Sequence, residues 1–164
     1  MTAPITRFSG DYDFLSNFYP CAIELDGVLY PTVEHAFQAA KTFDADERYK
    51  IQVTASPASA KRVGSRVRLR DDWEQVKFGI MEELVRYKFT SYPELGVSLL
   101  ETAGAELIEG NTWNDRTWGM TRDRKSGQWI GKNHLGRILM QVRDELTSSN
   151  PATDDRERRV EERD

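Results

Sequence analysis

Pro31-Thr-Val-Glu-His-Ala-Phe-Gln-Ala-Ala-Lys41 reads as a short helix carrying functional groups where a core helix would carry apolar ones. Thr32 offers an N-cap hydroxyl to a free backbone N–H of the first turn, and Ala36, Ala39 and Ala40 are strong helix formers. The spacing predicts a helix from Thr32 to Thr42 or Phe43. At about 100° per residue, Glu34, Gln38 and Lys41 fall within roughly 60° of one another. One face therefore presents an acid, an amide and an amine. Glu34 lies in the first turn, where the macrodipole favours its ionised form, so a base or a stabiliser of positive charge is expected there rather than a proton donor.

Working outward, Asp26-Gly27 between Ala22-Ile-Glu-Leu25 and Val28-Leu-Tyr30 predicts a hairpin just before this helix. Beyond it, Ser56-Pro57 is a helix start, a cap followed by proline at the first position. Asp71 or Asp72 is expected to cap the longest helix, whose apolar face is Trp73, Val76, Ile80, Leu84, Val85 and Tyr87. Pro93 opens another helix that stops near Gly104, and Glu106-Leu-Ile-Glu109 has the look of a brief strand. Residues 111–132, rich in Trp, Asn, Asp and Gly, read as a long structured loop, and such loops inside a compact domain are usually functional. Asn133 then caps a last helix that packs inward through Leu135, Ile138, Leu139, Val142 and Leu146. The class is α+β: a helix-rich single domain over 1–147 with a small β-sheet.

The chain has 164 residues, enough to bury about two-thirds of its unfolded surface in one domain. Its start lacks the basic segment and apolar core of a secretion signal, no apolar run approaches membrane-spanning length, and a cytoplasmic location with no membrane partner is expected. One cysteine, Cys21, excludes an intramolecular disulfide and a cysteine-cluster zinc site. With two histidines and no paired spacing, neither a metal nor another cofactor is expected. The net charge of −4 argues against broad adhesion to nucleic acid, though not against a local basic cleft. Residues 148–164 hold mixed charge and one aliphatic residue larger than alanine, Val160, and read as a disordered tail.

Asn111-Thr-Trp-Asn-Asp-Arg-Thr-Trp-Gly119 gathers amides, a carboxylate, a guanidinium and two indoles. Asn114 and Asp115 can hydrogen-bond sugar hydroxyls or base edges, and Trp113 and Trp118 can stack on a planar ring. Asp115 can also stabilise an oxocarbenium ion. Gly131-Lys-Asn-His-Leu-Gly-Arg137 opens the last helix, whose free N–H groups beside Lys132 and Asn133 form a candidate phosphate site. In Phe14-Leu-Ser-Asn-Phe-Tyr19 the aromatics are core by default, while Ser16 and Asn17 point to binding. Lys61, Arg62, Arg66, Arg68 and Arg70 form a basic strip, mostly solvated surface, one member of which could line an anionic cleft. There is no Walker-type or Gly-x-Gly-x-x-Gly loop and no nucleophile elbow. What is left is carboxylate and lysine chemistry on a nucleotide-like ligand, which suits cleavage of an N-glycosidic bond.

Phe14–Tyr19, Pro31–Lys41, the Trp113-Asn-Asp…Trp118-Gly119 block and Gly131-Lys-Asn-His-Leu-Gly136 followed by Leu139-Met140 together resemble the NADAR (YbiA-like) family, in order over about residues 7–146. The resemblance implies a YbiA-like fold and an N-glycosidase of ADP-ribosyl or phosphoribosyl adducts. It further implies Glu34 and Lys41 as the catalytic pair, assisted by Asp115. Asn17, Phe18, His35, Gln38, Trp113, Asn114, Trp118, Gly119, Lys132 and Asn133 are the candidate ligand contacts. Some family members cleave riboflavin-pathway intermediates and release ribose 5-phosphate; others remove ADP-ribose from guanine in DNA. The full 111–119 run and an insertion over Met120–Gln128 favour the second branch, with ADP-ribosylated single-stranded DNA as the partner. A non-catalytic ADP-ribose reader would need the same amides and aromatics, but gains nothing from Glu34 and Lys41.

Overall fold

The computed structural model describes residues 2–150. Of the tail read over 148–164, all but the first three residues lie outside the described residues. A 3₁₀ helix over Gly10–Leu15 leads to the expected hairpin, β1 (Ile23–Leu25) and β2 (Val28–Tyr30), paired antiparallel about Asp26-Gly27. Both turn residues have positive φ, 50° and 78°, the geometry a two-residue hairpin with right-handed strand twist needs.

Helix α1 (Val33–Ala40) follows, and the Thr32 hydroxyl accepts from the His35 N–H at 3.1 Å as its N-cap. All eight residues of α1 are buried, so the helix lies at the centre of the molecule rather than on its surface. Around it pack α2 (Ala45–Gln52), α3 (Pro57–Gly64) and α4 (Trp73–Ser91), with the hairpin against its start. The chain continues through α5 (Pro93–Leu100) and closes with α6 (His134–Ser148), which packs on α4 and α5. The core runs from Leu15 and Ile23 through Val33, Ala36 and Phe37 to Leu84, Phe89, Leu99, Leu135 and Leu139. This is an α+β single domain, as the sequence predicts.

Four local features differ from the sequence reading. Helix α2 escapes periodicity because its eight residues bury only Ile51. Its signal is the N-cap: the Asp44 carboxylate accepts from the Glu47 N–H at 2.9 Å. Asp72 precedes α4 without capping it, because both carboxylate oxygens are held by Arg70 at 2.6 and 2.9 Å. The 111–132 region is not all loop. β3 (Gly110–Asn111), β4 (Met120–Arg122) and β5 (Trp129–Ile130) form a sheet, β3 parallel and β5 antiparallel to β4. Glu106–Glu109 makes only a single parallel bridge, Leu107 to Ile5.

Candidate active site

Burial sets the chemistry of α1. Glu34 is 7% exposed, and Gln38, one turn on, donates to its carboxylate at 2.7 Å. The sequence reading keeps Glu34 ionised by the helix macrodipole; the structure reverses this. Desolvation pushes its pKa up, against the Gln38 hydrogen bond and the charges of Lys61 and Lys41. Removing water from a carboxylate costs more than a first-turn dipole returns. The Lys41 amine, half-buried at the C-cap, has its pKa lowered by burial, against Glu34 and together with Lys61. A buried acid whose pKa is raised and an amine whose pKa is lowered are thus seven residues apart on one helix face.

Two further carboxylates join them. Asp115 adds its charge to the field at Glu34, and Glu109, just before β3, feels both. Glu109 is the site residue that sequence reasoning missed. Burial first, then Asp115 and Glu34, raise its pKa to about 7, against the pull of Lys61. Lys61, on α3, is therefore the member of the basic strip that faces the acids. Its register in Ser56–Gly64 was the available signal: α3 packs directly on α1.

Asp115 owes its position to Asn111. The buried Asn111 amide accepts from the Asp115 N–H at 2.9 Å and donates to the Asp115 and Met120 carbonyls at 2.8 and 3.3 Å. One Asp115 oxygen, Oδ1, then accepts from the Thr117 and Trp118 N–H groups at 3.0 Å each, leaving Oδ2 outside these bonds. Gly119 lets this loop close over Glu109, since a Cβ there would stand 2.1 Å from the Glu109 carbonyl oxygen.

Gln38 carries a buried acceptor that the fold leaves unpaired. Its Oε1 is buried and accepts no hydrogen bond among the described residues. An unmet buried acceptor costs about 1–3 kcal/mol, which a substrate hydroxyl would relieve. Gly64 makes the space, because a Cβ there would lie 2.1 Å from that oxygen. Gly64→Ala is expected to displace Gln38, lowering stability by about 1–3 kcal/mol and raising KM; thermal melting and steady-state kinetics would read both.

Other expected contacts divide by place. Asn17 is buried against the site: its carbonyl accepts from the Glu34 N–H at 3.0 Å, and Phe18 beside it is exposed. Lys88, 1% exposed on α4, clamps this loop by donating to the Ser16 carbonyl at 2.9 Å, with its ammonium 5.1 Å from the Tyr19 ring centre. Its pKa is drawn down to about 8 by burial. His35 is turned inward, bonded through Nδ1 to Thr32 and through Nε2 to the Thr54 carbonyl. Trp118 packs on Phe37 and Phe78 at 5.2 Å each, which makes it part of the core wall rather than a free stacking face. Trp113 and Asn114 are exposed on a separate cleft.

The start of α6 is not the phosphate site the sequence predicts. The N–H groups of Lys132, Asn133, His134 and Leu135 already donate to the carbonyls of Arg116, Gly119, Thr117 and Trp118. Asn133 does not cap with its side chain; buried, it ties the Leu107 carbonyl and the Glu109 N–H at 2.8 and 3.1 Å. Lys132 is exposed. These two residues lock the Glu109 segment and the 116–119 turn together.

A family model, NADAR domain, matches residues 6–147. The chain belongs to the NADAR family. N-glycosidase YbiA of Shigella sonnei (strain Ss046) is 44% identical over 140 residues, 84% of either chain. The NMR structure of E. coli YbiA superimposes with a TM-score of 0.74 at 39% identity, covering 91% of this chain and 88% of that one. A riboflavin biosynthesis protein of Vibrio vulnificus (strain YJ016) is 36% identical over 155 residues, 92% of this chain and 41% of that protein. This NADAR domain is thus an N-glycosidase.

Proposed function

We propose that the chain hydrolyses the N-glycosidic bond of an ADP-ribosyl adduct of guanine in single-stranded DNA, through the cluster of Glu34, Glu109, Asp115 and Lys41. The observation that carries the catalytic reading is the mutual field of three acids and two lysines, with Gln38 bonded to one of the acids, Glu34. Ring opening of the sugar gives an imine at C1′. The neutral Lys41 amine adds there and expels the base nitrogen, which takes its proton from a neutral carboxyl. Water then hydrolyses the lysine imine, returning the free sugar and the amine. Glu109, protonated up to about pH 7, is the proton donor in this account, with Glu34 stabilising positive charge at C1′. Gln38 Oε1 accepts from a ribose hydroxyl.

Activity is therefore expected to fall as pH rises through 7, and Glu109→Gln to be slow with that limb gone; a pH–rate profile of both proteins reads this. The stability sign agrees: a carboxyl whose pKa is raised on folding favours the fold at low pH, and that contribution is lost between about pH 4.5 and 7.

A second reading, hydrolysis of phosphoribosyl riboflavin-pathway intermediates with release of ribose 5-phosphate, is favoured by the Vibrio relative's name. Incubating the protein with both substrates and following each by mass spectrometry separates them. Loss of the ADP-ribose mass from the strand, absent in Glu34→Gln, supports the first; cleavage of the small molecule alone replaces it with the second. Binding of ADP-ribose with neither cleavage would leave a reader.

A further inference from the structure

Residues 110–114 form one wall of a cleft of about 770 Å³. Arg7, Arg116, Arg122, Arg124 and Lys125 line it, all exposed, in a protein of net charge −4. None of these five takes part in an ion pair among the described residues. Arg116 and Arg122 each use Nε to bond within the sheet, to the Thr121 hydroxyl and the Gly127 carbonyl. Asp123, the carboxylate on the cleft wall, is occupied by the Ser126 N–H and hydroxyl at 2.6 and 2.7 Å. The cleft therefore stays net positive, with five cations against the one carboxylate of Asp123, which feels the charge of Arg116. It is also concentrated: four of the five cations come from the turn before β4 and from the β4–β5 hairpin.

Two indoles share the cleft. Trp113 is 66% exposed, with no ring partner among the described residues, and Trp129 carries the Arg122 guanidinium 5.9 Å from its ring centre. An exposed indole beside a row of unpaired cations is the pairing that holds unstacked bases and their phosphates together. A lone phosphate or pyrophosphate would not need five cations spread around two stacking faces. The cleft also meets the reacting groups: Glu109 immediately precedes its wall at Gly110, and Asp115 immediately follows the wall at Asn114.

We propose that this cleft is a track for single-stranded nucleic acid, its cations on the phosphates and Trp113 stacked on a base next to the one presented to Glu109 and Asp115. The proposal deepens, and rests on, the reading of the substrate as an adduct carried by a strand. Recognition is indifferent to sequence, since the groups that line the cleft read charge and aromatic faces.

The test is binding of an unmodified, fluorescently labelled 15-nucleotide single-stranded DNA across a salt series, with turnover of a free ADP-ribosyl guanosine measured in parallel. Wild-type protein is expected to bind with a logarithmic salt slope, and Arg124→Glu/Lys125→Glu to bind at least tenfold more weakly, its slope reduced by about 1.4, at about 0.7 per phosphate. Trp113→Ala is expected to weaken binding several-fold at unchanged slope. The charge-reversed protein should turn over the free nucleoside at the wild-type rate. No strand binding at 50 mM salt, or equal binding by the charge-reversed protein, overturns the track. Displacement of the strand by millimolar pyrophosphate as readily from the charge-reversed protein as from wild type does so too. Strand binding without turnover of any adduct keeps the track and overturns the hydrolase reading; turnover without strand binding does the reverse.

Discussion

Arginine in place of Lys41 is expected to lower kcat by about three orders of magnitude or more while the protein stays folded. The amine sits half-buried at the end of α1 with no hydrogen-bond partner among the described residues, so arginine can be accommodated there. Burial lowers the lysine pKa and raises the fraction of neutral amine; a guanidinium stays charged at any working pH. A nucleophile is lost on that exchange, whereas a cation holding a phosphate is kept. Single-turnover kinetics with a melting curve on the same sample decides between them: activity within about tenfold of wild type would make Lys41 a phosphate ligand.

Glu34→Gln is expected to cost about 10²–10⁴ in rate with little change in melting temperature. The amide is isosteric and its oxygen can still accept from Gln38, which donates to Glu34 at 2.7 Å in the wild type. Folding raises the pKa of Glu34, so its contribution to stability is present below the unfolded value near 4.5 and lost as pH rises. The variant should therefore melt no lower than wild type at pH 8, and the gap should move in its favour from pH 5 to pH 8. A variant that melts much lower at both pH values would mean that Glu34 is chiefly a structural group.

The local signals that placed α1 and its three polar residues were strong ones: a threonine cap, alanines at helical spacing, and acid, amide and amine on one face. The hairpin, α3, α4 and α6 were legible for the same reason, since a turn dipeptide, a Ser-Pro start or an apolar stripe is contained within a few residues. What the sequence hid was burial. Glu34 reads as ionised at an exposed helix start, yet α1 is enclosed by α2, α3 and α4, and only tertiary packing reverses the sign of its shift. Glu109 sits in a stretch with no period of its own, and of the acids that act on it Glu34 comes from a distant segment while Asp115 is brought back by the 111–119 turn. Lys88 reads as a surface lysine but lies under Ser16 and Tyr19. Asn133, a cap by residue type, takes positive φ and gives its side chain to Leu107 and Glu109 instead. For Lys88 and Asn133 the deciding partners are more than twenty residues away, beyond any local pattern.

The most direct test of the catalytic cluster is reduction with borohydride during turnover, followed by peptide mapping. The account requires a sugar-derived mass fixed on Lys41, dependent on substrate and strongly diminished in Glu34→Gln. Continued turnover with no trapped adduct, or with the adduct on another lysine, would contradict it.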